Sequence, residues 1–98
     1  MPFDKFEEED RRLVILRHLA EDQDYTINSS ILQKALEVWG HKVSRDRLHA
    51  DIAWLKEQGL VTYDVVSSVY VAKITQRGLD VSEGSASVPG IKRPGPGA

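Results

Sequence analysis

The chain has 98 residues, of which 41% are hydrophobic and 29% charged, with a net charge of −2 at pH 7. This length supports a single hydrophobic core, and the composition is that of a soluble globular protein. The absence of cysteine excludes disulfides and thiolate metal sites, and no apolar run approaches the roughly 20 residues needed to span a bilayer.

The first predicted helix covers about residues 5–22. Asp4 and Glu7 have capping-box spacing, and the acids that follow favour the positive end of a helix dipole. Phe3 and Val14 fall roughly opposite the predicted core face. They are either tolerated apolar residues on the surface or part of a contact with a second copy or another protein. The core face itself repeats at helical spacing through Phe6, Leu13, Leu16, Leu19 and Ala20.

A break at residues 22–28, in which 25–27 have the composition of a very short strand, precedes the second helix. Asn28 or Ser29 can cap this helix and Gly40 can end it, since glycine readily adopts the left-handed conformation found at helix ends. Its predicted core residues are Ile31, Leu32, Ala35, Leu36 and Trp39.

The third helix is the clearest element. Val43 adds an apolar residue from the preceding turn, Ser44 is the predicted N-cap and Gly59 ends the helix. A core stripe follows from the helical spacing of Leu48, Ile52 and Leu55.

Two strands are predicted next, at residues 60–65 and 69–75, with a tight connection at 66–68 and a short helix at 76–83. Residues 85–98 are rich in proline and glycine, which predicts a flexible tail after a domain at 1–84. The element order is that of an α+β, mostly α, winged helix-turn-helix: a three-helix core, a two-stranded wing and a short C-terminal helix.

A family resemblance supports this fold. Val43-Ser44, the Leu48, Ile52, Leu55 stripe, Gly59-Leu60-Val61 and Ile74-Thr75 with Gly78 resemble the consensus of winged-helix regulators of the ArsR/MarR-like superfamily. The segments EDRRLVILRHLAED, HKVSRDRLHADIAWLKEQGLV and VPGIKRP are similar to small winged-helix proteins of Mu-like phages and prophages, often labelled ArsR-like. That resemblance implies a phage or prophage protein in the cytoplasm of a bacterial host, and the acidic N-terminus agrees because a signal peptide begins with basic residues.

Metal sensing does not carry over from the ArsR label. ArsR-type sensors use a cysteine motif that this chain lacks, and His18, His41 and His49 show no metal-ligand spacing. We also expect no cofactor and no enzyme activity, because the sequence has neither a phosphate-binding glycine loop nor a nucleophile motif.

The start of the third helix and the turn before it supply the candidate contacts to double-stranded DNA. Arginines at the N-terminus of such a helix can pair with guanine in the major groove, and small residues allow close approach. The candidates are Lys42, Ser44, Arg45, Arg47, His49 and Ala50.

Other interpretations of these residues remain open. Arg47 can form an i,i+4 ion pair with Asp51, and both Asp46 and Asp51 repel phosphate if they face it. The tip of the predicted wing, residues 64–68, contains no base. Trp54 is expected to pack against the wing or the first helix.

We therefore expect a small DNA-binding protein, a transcriptional regulator or DNA-handling factor, with a homodimer or another phage protein as further partners and no membrane. The alternative is a protein-interaction winged helix, an adaptor in phage assembly or packaging that does not bind DNA.

Overall fold

The computed structural model describes residues 2–95 and shows an α+β fold that is mostly helical. The segment bounds agree with the sequence to within three residues, and the last helix occupies the predicted range. In chain order the elements are α1 (Pro2–Glu21), β1 (Thr26–Asn28), α2 (Ser29–Val38), α3 (Arg45–Glu57), β2 (Val61–Val66), β3 (Val69–Ile74) and α4 (Gln76–Glu83).

The sheet has three antiparallel strands in the order β1-β3-β2, so the expectation of a two-stranded wing is wrong. Strand β1 adds to the free edge of β3, with Thr26 opposite Lys73 and Asn28 opposite Val71. The composition predicted a short strand at residues 25–27, but not its place in the sheet, because its pairing partner lies more than 40 residues along the chain. The hairpin of β2 and β3 turns at Ser67 and Ser68, whose φ values of 48° and 70° are those of a type I′ turn.

The predicted helix boundaries are confirmed by capping hydrogen bonds and by a glycine with positive φ. Asn28 accepts a hydrogen bond from the Ile31 backbone N–H at 3.0 Å, which fixes the start of α2. Ser44 does the same for the Arg47 N–H at 3.1 Å and starts α3. Gly59 follows α3 with a φ of 76°, where a side chain would strain the backbone.

The core lies between α1, the α2–α3 pair and the inner face of the sheet. Three predicted core residues are wrong: Phe6, Ile31 and Trp39 are 69%, 58% and 64% exposed, because they lie at helix ends or beyond the neighbouring elements. Val14, predicted on the surface, is buried, since a second layer covers that side of α1. The fully buried apolar side chains are Ile15, Leu16, Leu19, Leu32, Leu36, Leu48, Ile52, Leu55, Leu60 and Ala72.

Part of that second layer is residues 85–95, which the composition predicts to be a flexible tail. Val88 and Ile91 are buried and belong to the core cluster. The Lys92 backbone N–H donates to the Glu9 carbonyl at 3.2 Å. Proline and glycine exclude regular structure here, but two apolar side chains are enough to anchor an irregular segment. Residues 96–98 of the predicted tail, and Met1, lie outside the described residues.

Candidate nucleic-acid interface

Helix α3 presents two chemically different faces, as the sequence predicts. Its inner stripe is fully buried against α2 and β2. The outer side of the first two turns exposes Asp46, Arg47 and Ala50, and Lys42 is exposed in the preceding turn. The candidate DNA contacts Lys42, Arg47 and Ala50 therefore lie on one open surface, together with the carboxylate of Asp46.

Asp51 does not lie on that surface, so the alternative of an i,i+4 pair with Arg47 is not realised. Its carboxylate accepts two hydrogen bonds from the Arg11 guanidinium of α1, from Nε at 2.5 Å and from Nη2 at 3.0 Å. Both side chains are at least nine-tenths buried. This pair could not be predicted, because no spacing rule connects an acid and a base that lie 40 residues apart in the sequence. As a consequence, the Arg47 side chain makes no ion pair within residues 2–95.

Arg45 is half-buried and held against α2. Its Nε donates to Gln33 Oε1 at 2.9 Å and its Nη2 lies 3.5 Å from Ser30 Oγ. Two of the five guanidinium N–H groups are directed at these partners, so the remaining donors can reach an anion from a fixed position. Arg45 thus links α2 to α3, whereas the exposed Arg47 side chain has no such contact within residues 2–95.

Ser44 is exposed, and its hydroxyl oxygen is occupied as the N-cap acceptor. Backbone N–H groups at the start of a helix and the hydroxyl proton of its cap can both donate to a phosphate. The cap therefore stabilises α3 and leaves one donor available at its positive end.

His49 has an arrangement that the sequence did not reveal. Its ring stacks on Tyr70 with centroids 3.8 Å apart, and Tyr70 stacks on Tyr63 at 4.4 Å. Lys56 Nζ lies 5.1 Å from the centre of the Tyr63 ring. His49 Nε2 lies 2.9 Å from the Ser29 hydroxyl, which also accepts the Tyr70 backbone N–H at 3.0 Å.

This stack, His49, Tyr70 and Tyr63, joins α3 to the hairpin. Burial, and secondarily the positive charge of Arg45, lower the pKa of His49 below 6.5, so the ring is neutral near pH 7. Burial and the neighbouring Tyr63 raise the pKa of Tyr70, so the Tyr70 hydroxyl keeps its proton near pH 7. The two tyrosines were predicted only as strand residues. Their positions on one face, two residues apart in the β2–β3 register, were the signal that could have identified the pair.

The remaining candidate region, the hairpin tip, is apolar. Val65 and Val66 are 61% and 53% exposed, and Asp64 is also exposed. Lys73, on β3, is the nearest exposed base along the chain. The hairpin therefore contributes little positive charge to the α3 surface.

Trp54 packs on the opposite side of α3. The Arg12 guanidinium lies 3.9 Å above its ring, and Gly90 approaches so closely that a Cβ there would lie 2.8 Å from Trp54 Cζ2. The predicted contact with the first helix is confirmed, and the C-terminal segment completes it.

Within residues 2–95, no three His, Asp or Glu side chains converge in a metal-binding arrangement. No helix in this part of the chain combines the length and the apolar character required to cross a bilayer.

No family model matches the chain. The chain is 53% identical over 90 residues to a protein described as uncharacterized protein gp26 of Escherichia phage Mu, covering 92% of this chain and 93% of that protein. It is also 41% identical over 97 residues to an uncharacterized protein of Haemophilus influenzae, covering 98% of this chain and 94% of the relative. Each alignment covers more than nine-tenths of this chain, so both include α3 and the hairpin.

Proposed function

The chain belongs to the family that includes gp26 of Escherichia phage Mu, and we propose that it is a small winged-helix protein that binds double-stranded DNA with α3 in the major groove. In a phage or prophage, such a protein acts as a transcriptional regulator or as a DNA-handling factor. The order α1-β1-α2-α3-β2-β3 supports the winged-helix assignment, because the third helix follows a short turn and the hairpin follows directly.

One observation carries the proposal: Asp51 is turned inward onto Arg11. This ion pair removes a carboxylate from the open side of α3 and leaves Arg47 without an intramolecular partner in residues 2–95. A free guanidinium at the start of a recognition helix can donate two hydrogen bonds to guanine O6 and N7. Ala50, one turn further along, is small enough for the helix to approach the bases.

The other side chains have supporting roles in this proposal. Lys42 contacts phosphate, as do the Arg45 N–H groups that are not directed at Gln33 and Ser30. Ser44 adds a hydrogen-bond donor at the helix N-terminus. His49 does not contact the DNA in this proposal; its stacking on Tyr70 fixes the angle between α3 and the hairpin. Because only two or three cations face the DNA, the salt dependence is shallow, with a slope of roughly −2 to −3 in a plot of log K against log salt.

Fluorescence anisotropy with labelled duplexes of mixed sequence tests the proposal. Arg47→Ala is expected to weaken binding by about 1–3 kcal/mol if the side chain pairs with a base. Arg77→Ala, at an exposed arginine of α4, is the matched control and leaves binding unchanged. Equal binding by both variants contradicts the proposed role of α3.

The exposed valines of the hairpin tip favour a second candidate, an adaptor that contacts another phage protein and not DNA. Apolar residues at a tip without bases suit a protein groove better than a phosphate backbone. Co-purification from phage-infected cells distinguishes the two. The adaptor predicts a stoichiometric phage protein that is lost in Val65→Ser/Val66→Ser, with no retained nucleic acid.

A further inference from the structure

Residues 3–7, in the first two turns of α1, are all exposed. Phe3 and Phe6 are 65% and 69% exposed and line a groove of about 540 Å³ that ends at Asp10, His41 and Lys92. A helix end with little tertiary packing is only marginally stable in water. Two exposed aromatic rings on one helix indicate a surface that is covered when the protein is assembled with a partner.

A second groove lies at the other end of the same helix. It has a volume of about 760 Å³ and runs between α1, the end of α2 and the end of α4. Trp39 is 64% exposed at its edge and meets His18 edge-to-face at 6.3 Å. The floor and wall on α1 are formed by Val14, Arg17 and His18.

We propose that α1 is a homodimerisation helix: two copies pair antiparallel, and each inserts Phe3 and Phe6 into the 760 Å³ groove of the other. Phe3, Asp10 and Arg17 are seven residues apart and therefore lie on one stripe of the helix. With the two-fold axis beside Asp10, Phe3 lies opposite Arg17 of the second copy and Phe6 opposite its Val14. The offset between Phe3 and Arg17 along the helix is about 21 Å at 1.5 Å per residue.

The charges select the antiparallel arrangement. In an antiparallel pair the acids at residues 7–9 of one copy lie towards Arg17 of the other, whereas a parallel pair places them beside the same acids. Glu21 and Glu83 also line the groove and reduce this preference. Asp10, next to the axis, is already compensated by His41 Nε2 at 2.7 Å and Lys92 Nζ at 3.3 Å. Arg17 of one copy can also lie over the Phe3 ring of the other as a cation–π contact.

The area fits a reversible dimer. The four phenylalanines of a symmetric pair bury roughly 500 Å² of surface that is now exposed, about a third of a standard interface of about 1,600 Å². Trp39, which lines the groove and is itself exposed, contributes further. This association does not depend on DNA binding.

Sedimentation of the full chain over micromolar to millimolar concentration tests the association. The mass is expected to rise from 11.0 kDa towards twice that value. Phe3→Ser/Phe6→Ser is expected to stay monomeric with an unchanged circular dichroism spectrum. The matched control, Val65→Ser/Val66→Ser, removes two other exposed apolar residues, from the hairpin, and is expected to dimerise like the wild type. A wild-type chain that stays monomeric throughout overturns the proposal.

Cysteine cross-linking tests the orientation, since the natural chain has no cysteine. A mixture of Phe3→Cys and Arg17→Cys chains is expected to form the mixed disulfide in preference to either self-linked pair. Dominant Phe3→Cys self-linkage indicates a parallel arrangement and overturns the proposed one. So does a mixture that does not cross-link under conditions where the wild type sediments as a dimer.

Discussion

Replacing Asp51 with alanine leaves the Arg11 guanidinium buried without a counterion. The two side chains are only 9% and 2% exposed, so little water can replace the lost carboxylate. Breaking such a pair from one side destabilises a protein by about 3–5 kcal/mol. Since domains of this size have about 5–15 kcal/mol of stability, the loss is a large fraction of the total. We expect the melting temperature to fall by at least about 12 °C.

Urea unfolding followed by circular dichroism measures this change, and a double variant identifies its cause. In Arg11→Met/Asp51→Leu both charges are absent and the volume is retained, so stability is expected to return to near the wild-type value. The coupling between the two positions follows from the double-mutant cycle. A loss below about 1 kcal/mol for Asp51→Ala, the range of exposed ion pairs, would refute a buried pair.

Three further predictions concern the elements around α3. Burial and Arg45 lower the pKa of His49 below 6.5, so the neutral ring stabilises the fold fully above pH 6.5, and this stabilisation is lost as the pH falls through the lowered pKa. The free energy of unfolding, measured by urea titration, should therefore fall less between pH 7 and pH 5.5 in His49→Gln than in the wild type. Ser67→Asn/Ser68→Gly suits the positive φ values of the hairpin turn and is expected to raise the free energy of unfolding by several tenths of a kcal/mol, whereas a decrease would argue against a type I′ turn. Ser44→Ala removes the α3 cap and is expected to destabilise by about 1 kcal/mol, with Ser44→Gly closer to wild type.

The elements were predictable because their signals are local. The cap at Ser44, the left-handed Gly59 and the stripe of Leu48, Ile52 and Leu55 each depend on residues within a few positions, and the structure confirms all of them. Phe6 was assigned to the core because periodicity reports which side chains share a helix face. It does not report how far the neighbouring elements extend along that face.

The contacts that shape the candidate interface were not predictable for the opposite reason. The Arg11–Asp51 pair, the stack of His49 on Tyr70 and the pairing of the short strand β1 with β3 all join segments distant in sequence. A single sequence carries no spacing rule for such pairs. The burial of Val88 was missed in the same way, because proline and glycine content describes local conformation and not tertiary packing.

The salt dependence of DNA binding, compared between wild type and Arg47→Ala, tests the central claim most directly. Anisotropy titrations on one duplex across a series of salt concentrations give the slope of log K against log salt. We predict a wild-type slope of roughly −2 to −3, with weaker binding for Arg47→Ala at every salt concentration. Binding that is absent in wild type, or that is insensitive both to salt and to the loss of Arg47, would contradict a role for α3 in DNA recognition.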